Sequence, residues 1–445
     1  MPTEGPATLA RGRKLSLRRL GNIIKRQDRN FRVILFWHIV GGLLGGLSGS
    51  YLGMYPYDLG ATITEVGYLT SVNALSACVP ALVGGALAQK YGKKRIVLYI
   101  WPSYVGFFLL MMAAPNWLFL VPAYLVYAIA YAGDPAFVSL YADSLDEETR
   151  AEAISIDSTI SGMLALLMPP VGGFLVEYFG GIRNPNSLRI FYGLYSVFHA
   201  TTMVYFWKSL QDDGPHRNDE SIRKSLGSLN AILIESRVRR YLVFTIISSL
   251  TAGLSAPFVT IYIFSEIGVS PTFVGIMTAA STGITYIILN LGAWWSDRVG
   301  RKTPIVMGYI FSASALVTLA FANTADSLLI YYFIAALTAI GSAANSALVY
   351  EYVPSDLRSR YFGAREGLTL LCLSIGPPIG GIIYALLGAK FLFLIQAGSQ
   401  YFLILPYFLI AIPETKKTKV RTPARFLRRP RIPDWLILHP RTHKE

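Results

Sequence analysis

Two cysteines in 445 residues, Cys78 and Cys372, leave no room for a disulfide framework, and both fall inside long apolar runs. Charge is scarce too: Asp, Glu, Lys and Arg together make up 15% of the chain, against 53% hydrophobic residues, which is the wrong balance for a soluble protein. No Gly-x-x-x-x-Gly-Lys-Ser/Thr sequence, no zinc spacing and no nucleophile elbow is found, so neither a primary pump nor a membrane enzyme is expected, and no cofactor. Acidic residues are fewer than basic ones, 26 against 40. The surplus of +14 would suit nucleic acid, but its placement along the chain argues otherwise.

What is present is a series of apolar runs. A spanning helix needs about 20 mostly apolar residues, since the hydrocarbon core is roughly 30 Å thick and each residue rises about 1.5 Å. Twelve such segments can be marked: 31–55, 64–88, 96–114, 117–142, 152–177, 187–208, 238–264, 272–296, 304–322, 326–350, 364–387 and 390–412. Lipid offers a backbone no hydrogen-bond partners, so these runs must be helices and the chain is predicted to be an all-α membrane bundle. With the amino terminus placed in the cytoplasm, 37 of the 40 Lys and Arg fall on one side, and only Arg183, Arg189 and Lys390 on the other. This positive-inside bias predicts cytoplasmic termini and a cytoplasmic middle loop, and makes nucleic acid unnecessary as a partner. The tails "RGRKLSLRR" and "RFLRRPR" suit anionic lipid head groups. The first 30 residues are too polar for a signal peptide, so the first segment is expected to remain as a permanent helix.

The chain also repeats itself. A shift of 208 residues aligns, without a gap, Gly45 with Gly253, Gly60 with Gly268, Gly92 with Gly300, Gly133 with Gly341, Arg150 with Arg358, "PPVGG" with "PPIGG", and Gly180 with Gly388. The organisation read from this is a basic tail (1–30), a six-helix half (31–208), a linker (209–237), a second six-helix half (238–413) and a basic tail (414–445). Within the linker region, the amphipathic stretch "LNAILIESRVRR" is expected to lie on the membrane surface.

Between segments 2 and 3 stands "GGALAQKYGKKR", and between 8 and 9 its echo "GAWWSDRVGRK". Twelve spans in two parallel halves, with these turns after spans 2 and 8, resemble the major facilitator superfamily of secondary transporters over residues 31–415. The family's loop pattern, Gly-x-x-x-Asp-Arg/Lys-x-Gly-Arg/Lys-Arg/Lys, is similar to Gly85, Lys90, Gly92, Lys93 and Lys94 in the first copy. Asp297, Arg298, Gly300, Arg301 and Lys302 match it in the second, where Ala293 replaces the leading Gly. Gln89 stands where the pattern has an acid, so the first turn lacks a charge that the second keeps. Asp143 with Arg150, and Glu351 with Arg358, are the partners expected for these cations, each with an acid-x6-Arg spacing. The resemblance implies that they form a cytoplasmic gate. The bland alternative is plain topology signalling.

Ionisable residues inside spans are costly and point to function. His38, Asp134 and Asp157 lie roughly 6 to 10 Å to the cytoplasmic side of the midplane, counted at about 1.5 Å per residue. His titrates near neutral pH, so the three invite a proton-site reading. Asp134 leads, because "AGDPA" places Pro135 where a span bends around a cavity, and the family places span 4 there. The duller reading makes Asp134 a cap, or a structural partner of His38. The repeat turns Asp157 into Arg365, which suits an interdomain ion pair, an anionic substrate group, or local pairing with Glu366. Asn73, Asn290 and Asn345 are further polar candidates for a pocket, though each alone is more often a helix-to-helix hydrogen bond. His199 is expected to be structural.

The expectation is a monomeric cell-membrane transporter moving a small molecule by alternating access, coupled to a proton, with a lean toward efflux of a small amphipathic compound. "PETKK" at Pro413 to Lys417 resembles a sugar-porter motif, while "MPPVGG" resembles the end of an antiporter motif with Met168 in place of Gly. Uptake of a sugar or organic acid therefore stays open, as does a transporter-like receptor or scaffold.

Overall fold

The computed structural model describes residues 17–211, 235–353 and 358–414. The tails and most of the linker, including the start of its amphipathic stretch, lie outside the described residues. So do the side chains at positions 85, 89 and 358.

Helices appear where apolar length requires them. Ten are long and apolar enough to cross a membrane among the described residues: Arg29–Ser48, Lys93–Ala113, Trp117–Asp143, Glu152–Tyr178, Ser236–Ile267, Pro271–Val299, Lys302–Ala320, Ala325–Tyr352, Arg365–Leu387 and Ala389–Ala411. Ile63–Tyr91 and Pro185–Ser209, of 29 and 25 residues, complete twelve and are spans 2 and 6. Spans 5 and 11 begin earlier as helices, at Arg150 and Arg358. A further short helix, Leu17–Arg26, precedes span 1.

Helix ends follow local chemistry. Span 2 starts in a capping box in which Thr62 and Glu65 satisfy each other's exposed amides, and span 10 starts the same way with Thr324 and Ser327. Span 1 is shorter than its apolar run: its regular helix stops at Ser48, whose hydroxyl turns back to Leu44 O at 2.8 Å, and the chain leaves through a tight turn at Leu52–Met54. The repeat-equivalent of Gly49 is Pro257, and span 7 breaks there as well, between Ser236–Ser255 and Phe258–Ile261. Span 4 breaks between Leu120–Tyr131 and Asp134–Asp143, with Pro135 in the first turn of the second piece.

The twofold repeat is a repeat of backbone conformation. Gly60 and Gly268 have φ of 91° and 73°, Gly92 and Gly300 92° and 103°, Gly180 and Gly388 113° and 86°. Only glycine takes that region freely, which is why these residues recur at one fixed offset. Packing repeats as well. A Cβ on Gly84 of span 2 would lie 2.2 Å from Ala132 O of span 4, and one on Gly292 of span 8 would lie 2.2 Å from Ile340 O of span 10.

The two halves meet through a second set of small residues. A Cβ on Gly67 of span 2 would lie 2.5 Å from Pro377 O of span 11, and one on Gly275 of span 8 would lie 2.3 Å from Pro169 O of span 5. Hydrogen bonds that cross between the halves gather at the end away from the basic turns: Thr272 N to Glu177 Oε1 at 2.9 Å, Arg183 Nη2 to Ser265 O at 3.2 Å, and Tyr51 Oη to Pro271 O at 3.3 Å. The contact then runs inward along spans 2 and 11, through Ser71 and Ser374 O, to Cys78 and Gly367 O at 3.6 Å. One end of the molecule is thus held shut by contacts between halves.

Candidate functional site

At the opposite end, each half carries its own charged clasp. Gly92 closes span 2 with a positive φ, and the turn hands the chain to the helix Lys93–Ile100. Lys93 forms an ion pair with Asp143 at the end of span 4. In the second half the repeat-equivalent residues do the same, with Arg301 Nε donating to Glu351 Oε1 at 3.0 Å. Arg301 does more: its Nη1 reaches Asp297 Oδ1 at 2.6 Å and Ser296 Oγ at 2.9 Å. Burial acts to lower the pKa of its guanidinium, but the hydrogen bonds and charges of Asp297 and Glu351 outweigh that and raise it. Lys90 lies 5.1 Å from its neighbour Tyr91's ring centre, and Arg298 stacks 3.7 Å over Trp294, so these two cations rest on aromatic faces. Arg150 is exposed at the start of span 5.

Sequence reasoning missed Glu414. Its Oε1 accepts Arg301 N at 2.8 Å, and the same carboxylate accepts Lys302 N, capping the start of span 9 from beyond span 12. The signal was the "PET" of "PETKK", read as a family motif when its local role is a helix cap. A Cβ on Gly300 would meet Glu414 Oε1 at 2.8 Å, so the positive-φ glycine and the cap go together.

The ionisable residues of the first half sort into two groups. His38 Nδ1 is 2.7 Å from Asp157 Oδ2, and Tyr141 Oη donates to the same oxygen at 2.8 Å. Spans 1, 4 and 5 thus converge on one carboxylate, which is 5% exposed and whose Oδ1 has no hydrogen-bond partner. Asp134 does not join them. Its carboxylate accepts Trp101 Nε1 and Tyr104 Oη, both at 3.0 Å, from span 3. Trp101, Phe137 and Trp37 fill the space around it, with ring centres 4.3 Å apart for Trp101 and Phe137 and 4.9 Å for Trp37 and Phe137. Tyr141, Trp101 and Tyr104 had no signal as tyrosines and tryptophans in apolar runs; only the azimuth of each helix singles them out.

In the second half, Asn345 Oδ1 accepts Tyr241 Oη at 2.6 Å and Tyr309 Oη donates to Ser248 Oγ at 3.2 Å. Arg365 lies within electrostatic reach of Tyr241, Tyr309 and Tyr361, rather than being paired with Glu366 among the described residues. Asn290 bonds its own helix, Nδ2 to Tyr286 O at 2.8 Å. His199 is buried with Nδ1 2.9 Å from Tyr195 O, a structural tie within span 6. Asn73 lines a cavity of about 280 Å³ between the halves, with Thr70, Tyr127, Tyr131, Pro257 and Leu370. Spans 2, 4, 7 and 11 therefore enclose space next to the interhalf contact.

A family model described as Major Facilitator Superfamily matches residues 34–255 and again 241–442. Among curated proteins, the multidrug resistance protein MdtG of Klebsiella pneumoniae (strain 342) is 27% identical over 374 residues, 79% of this chain and 86% of that one. The protein of that name from Escherichia coli O9:H4 (strain HS) is 26% identical over 391 residues, covering 84% and 92%. Of solved structures, the nucleoside transporter NupG superposes with a TM-score of 0.66 at 14% identity, over 85% of this chain and 98% of that one. The inward open conformation of the xylose transporter XylE from E. coli gives 0.61 at 14%, over 87% and 98%.

Proposed function

Because the chain belongs to the Major Facilitator Superfamily, and is thus a multi-pass membrane transport protein, we propose that it exports a small amphipathic compound across the cell membrane in exchange for protons. The basic clasps and both termini face the cytoplasm in this reading, in keeping with the positive-inside bias. The interhalf contacts then close the outer side, and the halves rock about the cavity between them to expose it alternately. The name borne by the relatives from K. pneumoniae and E. coli supports the outward direction.

The observation that carries the coupling is the His38–Asp157–Tyr141 contact. A histidine and a carboxylate meet on spans 1 and 5, and their bond can be made only while those spans keep their present spacing. A proton arriving there changes the bond that holds span 1 to span 5, which couples protonation to helix position. Asp134 takes the second role: with Trp101 and Tyr104 it fixes the break in span 4 against span 3. Gly85, Gln89, Lys90, Gly92, Lys93, Asp143, Arg150 and Arg358 belong, with the second-half clasp, to the cytoplasmic gate.

Proteoliposomes with an imposed proton gradient test this. Small amphipathic probes of positive, negative and no charge are offered in turn, and lumenal pH is followed with a trapped dye. The expected result is probe-dependent proton flux that Asp157→Asn abolishes and Asp134→Asn leaves coupled. Flux that persists in Asp157→Asn, or the absence of flux with every probe, would overturn the proton-exchange reading.

A further inference from the structure

Span 11 carries a cation that no carboxylate neutralises among the described residues. Arg365 lies two turns into Arg358–Leu387. Its Nε is buried without a hydrogen-bond partner, and no carboxylate pairs with it among the described residues. The adjacent Glu366 is exposed and lies instead within electrostatic reach of Tyr131, on span 4 of the other half. Arginine, unlike lysine, keeps its charge when partly buried, so a half-buried guanidinium at the start of the apolar span, with its Nε buried and unpartnered, carries a cost.

The groups around it lack acceptors in the same way. Tyr361, one turn earlier on the same helix, is fully buried, and its hydroxyl has no partner. Asn345 spends its oxygen on Tyr241 Oη, while its amide nitrogen donates no bond among the described residues. Tyr309 and Asn345 also line a cavity of about 240 Å³ between spans 9 and 10, whose wall continues through Ser312 and Ser342. A cation, a phenol and an amide with unspent donors, the amide on the wall of that cavity, call for a ligand made of acceptors. Buried donors left in that state are rare unless something completes them.

We propose that Arg365, with Tyr361 and Asn345, binds the oxyanion head of the transported compound, a carboxylate, sulfonate or phosphonate on a small apolar body. The planar guanidinium suits such a head, and the Tyr361 hydroxyl and the asparagine amide supply the remaining donors. The repeat sharpens the point: the equivalent residue in the first half is Asp157, already engaged by His38 and Tyr141, so one half handles the proton and the other the anion. The proposal rests on the export reading only in taking this anion as cargo.

The test is binding to the purified full chain, read as a shift in thermal unfolding, with three probes sharing one ring: benzenesulfonate, benzenesulfonamide and benzyltrimethylammonium. Saturable stabilisation by the sulfonate alone is expected. Arg365→Gln should need about tenfold more sulfonate or worse, the scale of a lost charge-assisted contact. Without ligand it should unfold no earlier than wild type, because it removes a half-buried charge that no carboxylate pairs with among the described residues. Tyr361→Phe should weaken sulfonate binding several-fold, and Glu366→Gln should leave it unchanged. Equal stabilisation by the neutral or cationic probe, no stabilisation by the sulfonate, or undiminished sulfonate binding in Arg365→Gln would overturn the proposal. The assay uses no proton gradient, so a failed coupling test with intact sulfonate binding sinks the coupling alone, and the reverse outcome sinks this site alone.

Discussion

At Asp58, beyond the end of span 1 that lies away from the basic turns, a half-buried carboxyl keeps one oxygen, Oδ2, without a hydrogen-bond donor among the described residues. Burial pushes its pKa up to about 7, and the nearby Arg183 only partly opposes this. The folded protein therefore holds this proton more tightly than the unfolded chain, whose aspartate titrates near 3.9. Stability from this group is complete below that value and is lost as pH rises through about 7. Unfolding followed from pH 4 to 8 should show wild type losing stability toward the alkaline end, and Asp58→Asn should flatten that slope. Arg183 also bonds Ser265 O across the halves, so an ionised Asp58 competes for the residue that helps to close this end. At the level of single residues, depth was readable from the sequence and direction was not. His38 and Asp157 could be placed at one level of the membrane by counting, yet nothing in the chain said that His38 faces span 5 while Asp134 faces span 3.

The helices are held together by interactions of two very different strengths. Exposed ion pairs are worth about 0 to 1 kcal/mol, so the Lys93–Asp143 pair is easily broken. The second clasp joins the Arg301 side chain to Asp297, Ser296 and Glu351, three partners where Lys93 has Asp143. Arg301→Ala should therefore lower the unfolding temperature more than Lys93→Ala, as read by calorimetry or a thiol-reactive dye. Gln89→Asp should narrow the difference by giving the first turn the acid that the second has. Glycine contacts between helices are of the other kind. Gly84→Val and Gly292→Val would each drive a side chain into a carbonyl, and overpacking of this sort costs about 1 to 3 kcal/mol. Gly106→Ala, where the nearest atom would be 3.6 Å away, should be tolerated. This level was the most legible one, because a positive-φ glycine leaves a mark at a fixed position, and the 208-residue shift doubled each mark. Glu414 escaped because a cap supplied from beyond span 12, far along the chain, has no local spacing to reveal it.

The whole molecule is two copies of one six-helix unit, closed upon each other at one end by Gly67 against Pro377 and Gly275 against Pro169. Each contact pairs a residue with no side chain against a proline carbonyl, so the surfaces are smooth and can part without dragging interlocked side chains. The charged clasps, by contrast, stay within their own halves in this conformation, Lys93 with Asp143 and Arg301 with Glu351. An account in which the halves rock requires the two ends to move in opposite senses, with the bond between His38 and Asp157 deciding which end is shut. Paired spin labels measure this directly, one pair at Thr62 and Thr272 for the outer end and one at Tyr91 and Arg298 for the basic end, in a chain lacking Cys78 and Cys372. On acidification the outer pair should separate while the basic pair draws together, and Asp157→Asn should remove the response of both. Distances that change in the same sense at both ends, or that respond to pH as before in Asp157→Asn, would contradict the account.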